Sequence, residues 1–365
     1  MTSMVETGAA VTLDSVTKDY GNDIIAVDAV DLTIAAGEFI TLLGPSGSGK
    51  TTTLNMIAGF VTPSSGRIAV DGVVVNDVPP HKRNIGMVFQ QYALFPHMTV
   101  AENVAYPLKQ RKVPKTQARQ MVEDALAMVR LETYADRLPK SLSGGQQQRV
   151  AVARASVFNP KLLLMDEPLG ALDKKLREAL QLEFRRIHRE LGATIVFVTH
   201  DQEEALVMSD RIAVFNEGRI EQLGTASELY ESPTTAFVAN FLGESNVFRG
   251  DVQASQAGVT ISGAFGTLRC RATDVNSGRG LAVVRPERME LGVSGTLDHA
   301  GDVQVNRVQG RVKEIIYLGS EQRILIDAGQ ENRFTAIATP DQRVEIDSTV
   351  TLTFRAQDTI ALVDA

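Results

Sequence analysis

Gly44-Pro45-Ser46-Gly47-Ser48-Gly49-Lys50-Thr51 is the most informative stretch of this chain. The apolar run Glu38-Phe39-Ile40-Thr41-Leu42-Leu43 leads into it and a helix-compatible run leads out. Strand, glycine-rich loop and helix in that order make the P-loop pattern. The glycines let successive backbone N–H groups turn inward around phosphate oxygens, where side chains would obstruct them. Lys50 offers a point charge to the β- and γ-phosphates, Thr51 a hydroxyl to Mg2+, and the following helix its positive N-terminal end. The bland alternative is a Gly/Ser connector with no ligand, and the flanking strand and helix count against it.

Working outward, Lys161-Leu162-Leu163-Leu164-Met165 and Thr194-Ile195-Val196-Phe197-Val198 are further apolar runs that stop at polar residues. Continuous runs of this kind read as buried parallel strands, and ligands sit beyond the C-terminal ends of such strands. The first ends in two adjacent carboxylates. Asp166 suits the magnesium shell and Glu167 suits a base or water-positioner; alone, the pair fits a solvated turn equally well. His200 ends the second run, where a γ-phosphate contact competes with a structural role. Gln90 ends Met87-Val88-Phe89 in the same way, as a contact to magnesium or the attacking water, or as an ordinary surface amide. Ser143-Gly144-Gly145-Gln146 opens a helix-like run over 150–157, a second anion-binding device; read alone, an N-cap with a flexible turn fits it equally. Tyr20, in a loop before Gly21, is placed to stack on adenine or to pack on the surface.

Short β-rich runs alternate with helical ones from Val11 to about Leu242, with helices expected over 114–131 and 174–191, the latter closed by Gly192. Residues 91–160 read as a helical insertion in an α/β core assigned to 1–243. After Gly243 only Lys313 remains of the lysines, and alternation takes over, as in Val350-Thr351-Leu352-Thr353-Phe354. Residues 244–365 therefore read as a separate all-β domain, barrel-like or sandwich-like.

The bulk properties exclude several classes. The 365 residues carry a net charge of −7, against a general nucleic-acid binder. Residues 245–365 hold 13 Arg and Lys against 15 Asp and Glu, a poor balance for tracking a phosphate backbone. One cysteine, Cys270, forms no internal disulfide. Residues 1–10 lack the pattern of a secretory signal, and no run approaches the ~20 apolar residues of a membrane span. Any membrane role is expected to be by docking.

Together the motifs resemble the ATP-binding subunits of ABC transporters over nearly the whole chain. Residues 44–52, including Pro45, Ser46, Ser48 and Thr52, look like Walker A; 161–167 like Walker B with its catalytic glutamate; and Leu142-Ser143-Gly144-Gly145-Gln146 is an unaltered signature. Gln90 matches the Q-loop glutamine, His200 the switch histidine, Asp173 the D-loop aspartate and Tyr20 the adenine-stacking aromatic; Gly170 stands where serine is frequent. The resemblance implies an α/β P-loop NTPase core with a helical insertion subdomain and an OB-like C-terminal regulatory domain. It also implies a head-to-tail homodimer in which Mg2+ and ATP are held between the P-loop of one copy and the signature of the other.

Length and the β domain are similar to the importer branch serving maltose, glycerol-phosphate, iron, sulfate and polyamines. Val284-Arg285-Pro286-Glu287 resembles that module's Arg-Pro-Glu element, and Tyr317-Leu318-Gly319-Ser320 is most similar to spermidine/putrescine importers. The resemblance implies two transmembrane permease subunits, an extracytoplasmic solute-binding protein acting indirectly, and a peripheral position on the cytoplasmic face of the inner membrane. It also implies that the segment Tyr92–His97 lines a groove for a helix of the permease, although any one of its residues fits a core-packing loop as well. The same motor for another solute, or a soluble ATPase acting on nucleic acid, is the alternative.

Overall fold

The computed structural model describes residues 8–170, 174–255, 258–271, 275, 277–293, 305–329 and 333–363. They form two compact units, Met1–Ser227 and Glu228–Ala365.

The first unit is built on a six-stranded sheet ordered Arg219–Gly224, Arg211–Asn216, Phe39–Leu43, Thr194–Thr199, Leu162–Asp166, Ile85–Val88. All neighbours are parallel except the hairpin at the 219–224 edge. Alternation along the strands sorts side chains into two layers. Ile40, Leu42, Leu162, Leu164, Val196 and Val198 pack against the helix Lys50–Ala58 and a four-stranded antiparallel sheet, ordered 25–34, 11–19, 65–70, 73–74. Phe39, Leu163, Met165, Ile195 and Phe197 face the other way, into a core shared with the helices of the insertion and with Lys174–Leu191. Each fully buried Leu or Phe adds roughly 1.5–3 kcal/mol, so the strands at the centre of both layers are the stiffest support a loop can have.

The insertion lies between strands 85–88 and 162–166. It contains the helices Val100–Gln110, Lys115–Met128 and Gly144–Ser156. The middle helix buries Val122, Ala125 and Leu126, with Val129 beyond its end. Helix 174–191 ends as expected, with Gly192 at φ 61°.

The second unit has two five-stranded antiparallel sheets. One is ordered 266–270, 258–263, 246–255, 278–284, 360–363, the other 290–293, 349–355, 305–317, 322–327, 333–338. Their inner faces share one core in which Phe248 sits among Phe265, Phe334 and Phe354. This is the all-β domain read from the alternation, and it is consistent with the OB-like module that the resemblance implies. Residues 228–242 belong to this unit because buried Arg285 reaches back to them. Its guanidinium donates to the carbonyls of Ala239 (2.7 Å) and Tyr230 (3.2 Å), and lies 4.1 Å from the Tyr230 ring centre.

Candidate functional site

The phosphate loop bends where strand 39–43 stops. Gly47 and Gly49 take φ 81° and 101°, in the left-handed region, and Gly49 has a second reason to lack a side chain. A Cβ there would lie 2.4 Å from the Ala26 carbonyl oxygen. The helix that follows starts at Lys50, and its first-turn N–H groups have no acceptor within the helix. Lys50 is only 4% exposed and donates to the Pro45 carbonyl (2.7 Å) and Ser48 Oγ (3.3 Å), which holds its ammonium inside the loop. Burial lowers the Lys50 pKa, while nearby Glu167 and Asp166 push it back up.

The neighbouring strand ends bring the remaining groups to this loop. Thr51 donates its hydroxyl to Asp166 Oδ1 at 3.1 Å. Burial raises the Asp166 carboxyl above its ordinary value and Glu167 adds to this; Thr51 and Lys50 oppose it. Glu167 has φ 42°, a strained value for this residue type, and its N–H donates to the Val198 carbonyl at 3.0 Å. Its two oxygens are held separately. Gln90 Nε2 donates to Oε2 at 3.1 Å, and His200 Nδ1 lies 3.2 Å from Oε1. The ends of strands 85–88, 162–166 and 194–199 thus converge on one carboxylate beside the phosphate loop.

Among the described residues no cluster of three or more His, Cys, Asp or Glu side chains suits a metal by itself. The Asp166 carboxylate with a hydroxyl 3.1 Å away, next to a phosphate cradle, nonetheless fits Mg2+. That ion binds through one or two carboxylates and takes its other ligands from phosphates and water. Thr51 and Asp166 are the residues that fit it.

Ser143 caps the helix Gly144–Ser156 in a full capping box. Gln146 N donates to Ser143 Oγ (3.3 Å), and Ser143 N donates to Gln146 Oε1 (2.9 Å). Its local geometry is therefore that of an N-cap, and the same helix start presents its dipole to an anion. Tyr20 is 55% exposed, and Lys18 Nζ lies over one face of its ring, 5.0 Å from the centre. Asp173 lies outside the described residues.

Sequence reading missed two arginines. Arg154, on the signature helix, donates to the carbonyls of Tyr92 and Ala93 at 2.7 Å each, and both of those residues have left-handed φ. Arg177 pairs with Asp201 Oδ2 at 2.6 Å, next to His200. No local pattern marks either one. The Asp201 cap was visible as an acidic residue ahead of Glu203 and Glu204 at a helix start. Of the segment after Gln90, Tyr92 is buried, as a core-packing residue is. Phe89, Ala93 and Phe95 line an open groove of about 890 Å³ with Tyr106, Arg111 and Phe158.

A P-loop, a carboxylate pair at a neighbouring strand end and a helix-capping Ser-Gly-Gly-Gln on an inserted helical layer define an ATP-binding cassette. Residues 27–170 match the ABC transporter family and residues 282–362 the TOBE domain. The chain belongs to the family of ABC transporter ATP-binding subunits, and it is an ABC-type ATPase. Among its relatives is the spermidine/putrescine import ATP-binding protein PotA of Thermobifida fusca, 52% identical over 317 residues, covering 85% of this chain and 81% of that protein. The protein of that name from Acidothermus cellulolyticus is 48% identical over 349 residues, covering 92% and 88%. Solved structures agree over the first unit. A dimeric ATP-binding cassette bound to ADP and Pi is 38% identical, with TM-score 0.53, covering 59% of this chain and 98% of that one. The cbiO1 protein of Clostridium perfringens, part of the transporter complex cbiONQ, is 30% identical, with TM-score 0.57, covering 60% and 89%.

Proposed function

We propose that two copies of this chain hydrolyse Mg·ATP to drive the import of polyamines through two permease subunits, at the cytoplasmic face of the membrane. The observation that carries the catalytic part is the bracketing of Glu167 by Gln90 and His200, beside Lys50 and the Thr51–Asp166 pair. Lys50 binds the β- and γ-phosphates and offsets the charge that develops on them. Glu167 takes a proton from the attacking water as its oxygen bonds to the γ-phosphorus and the bond to the ADP oxygen breaks. Gln90 and His200 orient the carboxylate and the phosphate. Magnesium, held by Thr51 and Asp166, would supply further neutralisation of phosphate charge. Tyr20 stacks on adenine, Ser143 to Gln146 complete the partner copy's nucleotide site, and Asp173 is the D-loop aspartate. Relatives of known dimeric structure support the pairing.

The polyamine reading rests on relatives named for spermidine and putrescine import, together with their coverage of both units. No helix among the described residues is long and apolar enough to cross a membrane, so transport needs spans on other chains. The groove lined by Phe89, Phe95 and Phe158 suits a short apolar helix from such a chain. The first unit acts as the motor, and the β-rich second unit as a regulatory module that tunes it. The test is Glu167→Gln in the purified chain: hydrolysis should fall at least a hundredfold with ATP still bound. Hydrolysis at the parental rate would remove Glu167 from the catalytic role. Solute is assigned separately, by screening the co-purified binding protein against putrescine and spermidine.

A further inference from the structure

His200 is 56% exposed at its side chain, so packing does not orient it toward Glu167. The residues on either side of it are tied down instead. Thr199 Oγ1 accepts from Asp201 N at 3.0 Å and donates to Glu204 Oε2 at 2.6 Å. Asp201 Oδ1 accepts from Glu204 N at 3.2 Å and caps the helix Gln202–Met208. These bonds close the turn by themselves. Arg177 adds a link that the turn does not need: its Nη1 donates to Asp201 Oδ2 at 2.6 Å, and its Nε lies 3.7 Å from Glu204 Oε1. Arg177 stands in the first turn of helix 174–191, far along the chain from this turn. Its guanidinium bonds Asp201 and lies within ion-pair distance of Glu204, a reach over two side chains that a lysine lacks.

We propose that Arg177 is a positioning residue for hydrolysis: it ties the start of helix 174–191 to the turn carrying His200 and so sets the reach of His200 to Glu167. The inference rests on the roles given above to His200 and Glu167. A displacement of the first turn of that helix is passed through Arg177 to Asp201, and from Asp201 to the adjacent histidine. Side chains that are merely structural would stabilise the turn without influencing the chemical step through His200.

The test is a double-mutant cycle on the full chain with saturating Mg·ATP, combining Arg177→Ala with His200→Ala. Arg177→Ala should lower kcat roughly tenfold with KM within about twofold, the mark of misplaced catalytic geometry. In the His200→Ala background the same change should alter kcat less than about twofold. Arg177→Lys, which keeps charge but not the planar guanidinium, should fall between. It serves as the reporter if the alanine variant does not fold, with circular dichroism checking each protein. Independent, multiplicative losses in the cycle overturn the inference while leaving His200 in its role. A parental kcat in His200→Ala removes His200 from the mechanism and the inference with it. An Arg177 effect that appears only as a raised KM also overturns it.

Discussion

Replacing Glu204 by glutamine should make the stability of this protein less dependent on pH. Glu204 is 1% exposed, and its carboxyl is pushed up to about 7 from an ordinary 4.5. Burial is the main cause and Asp201 adds to it, while the Thr199 hydrogen bond, Arg177 and His200 oppose the rise. A carboxyl that holds its proton more tightly when folded stabilises the folded state below its unfolded pKa. That contribution is lost as pH rises through the folded value, because the native state must then bury a charge. The gap between 4.5 and about 7 corresponds to on the order of 3 kcal/mol. Glutamine keeps the volume and an acceptor for Thr199 but has no proton to lose.

The two proteins should therefore be of similar stability near pH 5. The variant should gain on the parent between pH 5 and 8, by an amount approaching that figure. The chain has no tryptophan, so unfolding is followed by far-UV circular dichroism in urea at several pH values, with calorimetry to separate the transitions of the two units. A stability difference that stays constant across this range would refute the reasoning, since it would mean that Glu204 titrates alike in the folded and unfolded states.

Gly49→Ala should cost at least tenfold in ATP affinity by calorimetric titration, because a Cβ at φ 101° would meet the Ala26 carbonyl at 2.4 Å and displace the loop. Cys270 is 7% exposed and burial raises its thiol to about 12, so at pH 8 it should resist maleimide in the native protein and react at once in denaturant. Arg285→Ala should destabilise the second unit by on the order of 3 kcal/mol, since it removes the buried guanidinium's bonds to the carbonyls of Ala239 and Tyr230 and to the hydroxyl of Ser245; the calorimetric transition of that unit reads it.

The nucleotide loop and the strand ends were legible because each is written in consecutive residues. A buried parallel strand is an apolar run, and its functional residue comes next in the chain, so Asp166, Glu167 and His200 followed from counting. The four-stranded sheet over 11–34 and 65–74 was not, because bulges break its alternation. The pairing of 11–19 with 25–34 shifts register between Leu13 and Val16 and again before Lys18, with Ser15 and Ala29 at positive φ. The composition change at Gly243 likewise gives no hint that residues 228–242 pack with the β unit, since the buried part of that connection runs from Arg285 to carbonyls and the rest joins side chains far apart in the chain, such as Tyr230 and Glu287. Carbonyls carry no sequence signature.

The same distinction separates the groups that do chemistry from those that place them. Glu167, Gln90 and His200 sit at strand ends, where the sheet fixes the backbone and residue type reveals the role. Arg154 and Arg177 hold the segments next to Gln90 and His200 from helices on the other layer, at sequence distances that no motif spans. The segments beside Gln90 and His200, the two side chains against the Glu167 carboxylate, are thus each held by an arginine outside the central sheet. Helix 144–156, which carries Arg154, begins at the signature assigned above to the partner copy's site, and helix 174–191 carries Arg177. Arg177 acts from the first turn of its helix, whereas Arg154 acts from the last turn of the signature helix, so a shift at the helix start reaches His200 within one turn but reaches the segment after Gln90 only through the whole length of helix 144–156.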